Sequence, residues 1–123
     1  MPAGRHRRRD DPFVRAVVAR LVPLGLVRAR AMFGGWGVYR DDLMFGLIAG
    51  KRLYLKVDGD TRGRFAAAGS RPFVYQSAQR RIEMSYWLAP EGALAASEAL
   101  LSWAELAVAA ASRVRALKRP TRR

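Results

Sequence analysis

The stretch from residue 32 to residue 58, MFGGWGVYRDDLMFGLIAGKRLYLKVD, constrains the fold more than any other part of the sequence. Apolar residues alternate with small or polar ones along much of it, and two polar turns, RDD at 40–42 and GK at 50–51, interrupt the alternation. Alternation with a period of two is typical of β-strands, whose successive side chains lie on opposite faces. The stretch therefore predicts an antiparallel meander of three strands.

Three glycines surround Trp36 at the start of this stretch, at positions 34, 35 and 37. Their spacing matches neither GxxxxGK[ST] nor GxGxxG, and no long helix follows to present amide groups to a phosphate. Glycine inside a strand is more typical of a bulge, of strong twist or of close approach by another backbone. We interpret these glycines as structural, with a bound phosphate or base as the alternative.

The sequence on either side of the meander predicts helices and a second hairpin. Asp11 as N-cap and Pro12 at the first helical position predict a helix that ends near Pro23. A short helix is predicted over 58–68, with helix-start chemistry in its aspartates, and a hairpin over 72–76 and 81–88. The first strand of the meander is predicted over 31–39.

The C-terminal part of the sequence predicts one long helix. It opens with APE at 89–91, which places proline at the first helical position and glutamate in the first turn. Its apolar residues form a wide stripe that predicts a helix lying across the sheet. The stripe comprises Leu94, Leu100, Leu101, Trp103, Ala107, Val108, Ala110, Val114 and Leu117.

The resulting order, α-β-β-β-α-β-β-α, predicts an α+β domain of two layers. Helices cover one face of an antiparallel sheet of about five strands, and there is no βαβ alternation to build a nucleotide-binding parallel sheet. A length of 123 residues suits one domain. We assign residues 12–118 to that domain, and residues 1–11 and 119–123 to basic N- and C-terminal tails.

The formal net charge of +13 is concentrated towards the C-terminal end. Residues 113–123 contribute +6, residues 1–11 contribute +2 and the long interval 12–112 contributes only +5. Basic ends attract polyanions without sequence preference, although solvated ends without a partner explain the same pattern. No apolar run is long enough to span a membrane and no secretory signal is present, so we expect a cytoplasmic protein with no membrane contact.

Catalytic and metal-binding constellations are not predicted. The sequence has no cysteine, and its one histidine, His6, lies among arginines near the N-terminus. The aspartates at 41–42 fall in a predicted turn, and Asp58 and Asp60 fit helix-start positions. We therefore predict no catalytic residue, no cofactor, no metal site and no enzymatic activity.

The strand alternation predicts a sheet face that points away from the helices and mixes cations with aromatic rings. Leu53 and Leu55 are predicted to face the core, and Tyr54 to face away. Such a face is typical of single-strand nucleic-acid binders, but also of a sheet covered by a partner or a second copy. The candidate nucleic-acid contacts are Arg52, Tyr54, Lys56, Arg81, Arg113, Arg115, Lys118 and Arg119, and the candidate partner contacts are Trp36 and Trp87, the latter predicted to lie on this outward face.

Several segments resemble the TfoX N-terminal domain family. They are AMFGGWGVYRDDLMFGLIAGKRLYLKVD, Arg62 with Phe65, RPFVY, MSYWLAPE and the Ser-Trp-Ala at 102–104, and they run from about residue 28 to about residue 113. The resemblance implies a two-layer α+β fold with no catalytic residue or cofactor. It also implies kinship with a competence-gene regulator thought to act with the cyclic-AMP receptor protein at promoters. That regulator has a further, C-terminal domain, so we expect only a general regulatory or partner-binding role here and do not carry over the activation of competence.

These observations favour a regulatory module that binds a protein partner and has weak electrostatic attraction to DNA. Components of the transcription machinery are among the candidate partners. A direct, non-specific nucleic-acid binder is the first alternative. A small-ligand binder or enzyme is the second. A homodimer is compatible with each of them.

Overall fold

The computed structural model describes residues 11–32 and 34–118. Residues 1–10 of the predicted N-terminal tail, the predicted C-terminal tail at 119–123, His6, Arg119 and Phe33 therefore lie outside the described residues. The described residues form three α-helices, six strands and two short 3₁₀ turns. In chain order they are α1 (Pro12–Arg20), a 3₁₀ turn (Val22–Leu24), β1 (Val27–Met32), β2 (Gly35–Arg40), β3 (Leu43–Ala49), β4 (Arg52–Lys56), α2 (Arg62–Ala67), β5 (Pro72–Gln76), β6 (Arg81–Leu88), a second 3₁₀ turn (Ala93–Ala95) and α3 (Ser97–Lys118).

The six strands form one antiparallel sheet in the order β1-β2-β3-β4-β6-β5, with β1 and β5 at its edges. The helices pack on one face of this sheet and enclose the core with it. The two-layer α+β prediction is confirmed. The largest fully buried side chains are Phe45, Phe65, Leu21, Leu53, Leu55, Leu100, Val17 and Val38.

The sixth strand arises because residues 27–40 form a hairpin where the sequence predicted one strand over 31–39. β1 and β2 pair along their whole length, and Gly34 turns the chain between them with φ +79. The prediction missed β1 because VRARAM alternates arginine with small or apolar residues and carries little apolar signal. At the edge of the sheet none of the β1 side chains is fully buried, so the strand does not need an apolar sequence.

The glycines beside Trp36 have steric roles in this hairpin. A Cβ atom at Gly35 would lie 2.4 Å from the carbonyl oxygen of Ile48, on the neighbouring strand. A Cβ at Gly37 would lie 2.9 Å from Met32 Sδ. Both contacts are shorter than van der Waals distance, so the glycines permit the sheet to close, in agreement with the structural interpretation.

A β-bulge lies in the middle of the sheet. The pairing of β2 with β3 passes from Val38↔Gly46 to Tyr39↔Met44, which leaves Phe45 as an extra residue on β3. A bulge of this kind changes the direction of a side chain, so that a residue which simple alternation would expose can point into the core. Phe45 is accordingly among the fully buried core residues.

The first helix begins where the sequence predicts. Asp11 Oδ1 accepts hydrogen bonds from the N–H groups of Phe13 at 2.9 Å and Val14 at 3.4 Å, and Pro12 occupies the first helical position. The second helix begins later than predicted, because Asp58 Oδ1 accepts from the N–H of Asp60 at 3.1 Å and so holds a turn ahead of α2.

The long helix also begins later than predicted, at Ser97 instead of 89–91. Gly92 has φ +89, and a 3₁₀ turn follows it before α3 starts. The predicted stripe is partly wrong, since Leu117 is 85% exposed. The side chains of α3 that are buried are mostly alanines, which let the helix lie close to the sheet: Leu100, Ala104, Ala107, Ala110 and Ala111.

Candidate interaction surface

The sheet face opposite the helices is called the open face here, since no helix of residues 11–32 and 34–118 covers it. Residues directly opposite each other in antiparallel strands share a face, so the pairing defines which side chains belong to it. Leu53 and Leu55 are buried on the helix side, as predicted, and Tyr54 between them lies on the open face.

Aromatic and apolar side chains from every part of the sheet meet on the open face. Tyr54 lies opposite Leu47 on one side and Leu88 on the other, and Tyr75 lies opposite Ile82. Most of these side chains are half-buried, but Tyr75 is 54% exposed. The apolar and aromatic members are Met32, Tyr39, Met44, Leu47, Tyr54, Phe73, Tyr75, Ile82, Tyr86 and Leu88.

The charges on the open face are all positive. They come from Arg28 and Arg30 on β1 and from Arg52 and Lys56 on β4. The only acidic residue within the six strands is Glu83, which lies opposite Val74 on the helix side. A partner that complements this face therefore has to bring negative charge.

Contacts among the aromatic rings and cations order the open face. The Arg30 guanidinium lies 5.6 Å from the centroid of the Tyr39 ring, and Lys56 Nζ lies 5.0 Å from that of Tyr86. Tyr54 meets Phe73 edge-to-face, with 5.0 Å between ring centroids. Burial raises the pKa of Tyr86 to about 12, so its phenol is neutral at physiological pH.

Trp87 and Arg81, two of the predicted surface residues, lie on the other side of the sheet. Trp87 is opposite Leu55 and packs half-buried against the core, so its predicted outward orientation is wrong. Arg81 lies opposite Gln76 and pairs with Glu83 at 3.6 Å. The sequence misled because the apolar set of β6, Ile82, Met84, Tyr86 and Leu88, does not face the helices. Only pairing with β4 decides which set lies on the helix side.

Trp36, the other candidate partner contact, also lies on the helix side. It is opposite Ile48 and packs against the core while half-buried. Tyr39 and Tyr86 lie on the open face, whereas neither candidate tryptophan does.

Two of the predicted nucleic-acid contacts on α3 form ion pairs within the protein. Arg113 Nε donates to Asp58 Oδ2 at 2.7 Å and its Nη2 donates to Oδ1 at 3.2 Å. Arg115 Nη1 donates to Asp42 Oδ1 at 3.1 Å. The hydrogen bonds from Arg113 hold the pKa of Asp58 at about 2, below its ordinary value. These pairs fasten the last turns of α3 to the loops of the sheet.

A model of the TfoX N-terminal domain matches residues 19–111, from the end of α1 to within α3. This is three quarters of the chain and includes the whole sheet. The protein belongs to the TfoX N-terminal domain family.

One curated relative in the TfoX group is similar over a shorter segment. It is a protein of Aliivibrio fischeri named "DNA transformation protein TfoX1", 40% identical over 50 residues. The matched segment is 41% of this chain and 24% of the relative, so the chain covers well under half of that protein's length.

Side chains suited to a metal are sparse in this member of the TfoX family. Among residues 11–32 and 34–118, no group of three or more His, Asp or Glu side chains is placed to hold a metal ion. In the same part of the chain, no helix combines the length and apolar character needed to cross a membrane.

Sequence reasoning missed much of the open face. Arg28, Arg30 and Tyr39 were not predicted as surface candidates, and neither were Tyr75 and Tyr86. The alternation of arginine with alanine in VRARAM was the signal that could have revealed β1 as a strand with one cationic face.

Proposed function

We propose that this protein is a regulatory domain of the TfoX type that acts without catalysis, by binding a protein partner with an acidic surface. The open face of the sheet is the proposed binding surface. Membership of the family and the name of the Aliivibrio relative support a role connected with DNA transformation. We propose the cytoplasm as its location. The observation that carries the proposal is an uncovered sheet face that is apolar in its middle and only positive in charge.

The composition of the open face suits a protein partner. Tyrosine, methionine and arginine are enriched at the centres of protein interfaces, and aspartate and glutamate are depleted there. Contiguous apolar surface of this kind on a small domain marks an interaction site. Tyr75, the most exposed of its rings, is suited to enter a pocket of the partner.

Direct binding of single-stranded nucleic acid is the second candidate, favoured by the cations that accompany the rings. Stacking of bases requires free ring faces. Arg30 already lies over Tyr39, and Lys56 over Tyr86, so a base would have to displace a cation before it could stack. Arg113 and Arg115, which would add phosphate contacts, are held by aspartates. These contacts make a protein partner the better candidate.

The experiment compares a charge-reversed open face with a charge reversal elsewhere. The test variant is Arg28→Glu/Arg30→Glu, and the matched control is Arg15→Glu/Arg64→Glu, which changes the net charge equally at exposed positions on α1 and α2, outside the open face. Each variant is immobilised, and the proteins that it retains from a lysate of the native host are quantified and compared. The binding of a purified candidate partner is then titrated against salt.

We expect a partner that the wild type and the control bind with equal affinity and the test variant loses by at least about tenfold, with weaker binding at high salt. Equal retention by both variants would refute the open face as the binding surface.

A labelled single strand of nucleic acid is titrated in parallel. Nucleic-acid binding that falls steeply with salt and is lost in the test variant, without any protein partner, would favour the second candidate. If light scattering gives the mass of a dimer for the wild type and the control but of a monomer for the test variant, the open face binds a second copy of the chain instead.

A further inference from the structure

A cavity of about 440 Å³ lies at one end of the sheet, away from the centre of the open face. It is open to solvent and bordered by the end of β4, the start of α2, the middle of β6 and the last turns of α3. Its volume lies within the range of small-molecule sites. Three cationic residues line it, Lys56, Arg62 and Lys118.

The carboxylates that line the cavity are already paired with arginines. Asp58 accepts two hydrogen bonds from Arg113, and Glu83 lies 3.6 Å from Arg81. Neither arginine lines the cavity. The three lining cations are therefore left without an equal negative charge, although Asp58 offsets part of the charge on Lys56.

Two of the cations, Lys56 and Lys118, are also close enough to repel each other. Burial lowers the pKa of Lys56 and the nearby charge of Lys118 lowers it further. Within the described residues, the side chains of Arg62 and Lys118 form no hydrogen bond or ion pair. An anion placed between these groups would relieve the repulsion and supply the missing acceptors.

We propose that this cavity binds a small phosphate-bearing ligand. A phosphate suits the site better than a single carboxylate, because it has more negative charge and more acceptor oxygens to share among three cations. The Ser85 hydroxyl, which accepts from Lys56 Nζ at 2.6 Å, is free to donate its own hydrogen to a phosphate oxygen. Trp87 also lines the cavity and offers an apolar wall for the organic part of a phosphate ester.

The phosphate can belong to a free small ester or to a nucleic-acid strand, and the experiment separates these sources. Amide and indole NMR shifts are followed while inorganic phosphate, a nucleoside 5′-monophosphate or a short 5′-phosphorylated single strand is added at constant ionic strength. The variants are Arg62→Gln and Lys118→Gln. The controls are Arg64→Gln, on the same helix but outside the cavity, and Lys51→Gln.

We expect saturable shifts at Arg62, Ser85 and the Trp87 indole, and a loss of affinity of about tenfold in each cavity variant, as for one charge-assisted contact. The controls should bind like the wild type. Saturation by the monophosphate indicates a free ester, whereas saturation by the strand alone indicates a nucleic-acid phosphate. Absence of saturation with all three probes, or equal losses in Arg62→Gln and Arg64→Gln, would overturn the proposal. The two experiments are distinguishable although Lys56 belongs to both surfaces, because the open-face variant changes residues on β1 and the cavity variants change residues on α2 and α3.

Discussion

Replacing Gly35 with alanine tests the steric role of the glycines beside Trp36. The new Cβ would lie 2.4 Å from the Ile48 carbonyl oxygen, and 3.5 Å from the carbonyl carbon. Backbone cannot move aside as the end of a flexible side chain can, so β2 and β3 have to separate by about 1 Å to restore an ordinary contact. That movement stretches the hydrogen bonds between β2 and β3 near the Trp36↔Ile48 pair.

The expected loss of stability in Gly35→Ala has two causes, overpacking and weakened pairing of the strands. Overpacking in a tight site costs about 1–3 kcal/mol, and each weakened hydrogen bond adds about 1 kcal/mol. We expect Gly35→Ala to lower the free energy of unfolding by about 2–4 kcal/mol, a large part of the total for a domain of this size. The melting temperature should fall by roughly 10–20 °C.

Gly63→Ala is the matched control, because it makes the same chemical change with the opposite expected sign. Gly63 lies in α2, and a Cβ there would meet no atom within 4 Å. Alanine is favoured over glycine in a helix by about 0.5–1 kcal/mol, so this variant should be slightly stabilised. Urea and thermal unfolding followed by circular dichroism measure both changes. If Gly35→Ala unfolds within about 0.5 kcal/mol of the wild type, the close approach of β3 is not what requires glycine.

Three further changes test other parts of the fold. Because the pKa of Asp58 is lowered to about 2, its contribution to the stability of the fold is present above pH 4 and is lost as pH falls towards 2. Asp58→Asn should therefore remove about 1 kcal/mol of stability at pH 7, after allowance for solvent screening, and flatten the acid branch of stability plotted against pH. An unchanged acid branch would count against the pair with Arg113. Ala107→Leu places a larger side chain between α3 and the sheet and should lower the free energy of unfolding in urea by about 1–3 kcal/mol. Ala116→Leu, on the exposed side of α3, should leave it nearly unchanged. Equal effects of the two variants would contradict the packing of α3. Tyr75→Ser should change stability by less than about 0.5 kcal/mol while weakening partner binding, and a large loss of stability would assign the ring to the core instead.

The sequence predicts the elements with strong local signals and misses those that depend on neighbours. The first helix begins where predicted, because Asp11 and Pro12 act on the backbone beside them. The alternation in β4 places Leu53 and Leu55 in the core, because that strand is apolar on one side only. The start of α3 was placed too early, because the positive φ of Gly92 allows a turn that proline and glutamate do not reveal.

The open face could be predicted only in part, for a reason of pairing. Tyr54 and Lys56 were found from the alternation of their own strand. Trp87 and Tyr86 are adjacent and both aromatic, so the identity of the inward one depends on register with β4, which lies far away in sequence. The bulge that buries Phe45 is also a property of two strands together and leaves no pattern in β3 alone.

The two ends of the sheet restrict how another molecule can attach. An unpaired strand offers its backbone N–H and C=O groups to any extended chain that comes alongside, and basic side chains or proline at that border discourage such growth. β1 carries Arg28 and Arg30 at one border, and β5, only five residues long, starts with Pro72 at the other. Lengthening of the sheet by an incoming strand is thereby disfavoured at both borders. A visiting protein is directed instead onto the broad surface between them, where side chains choose the partner.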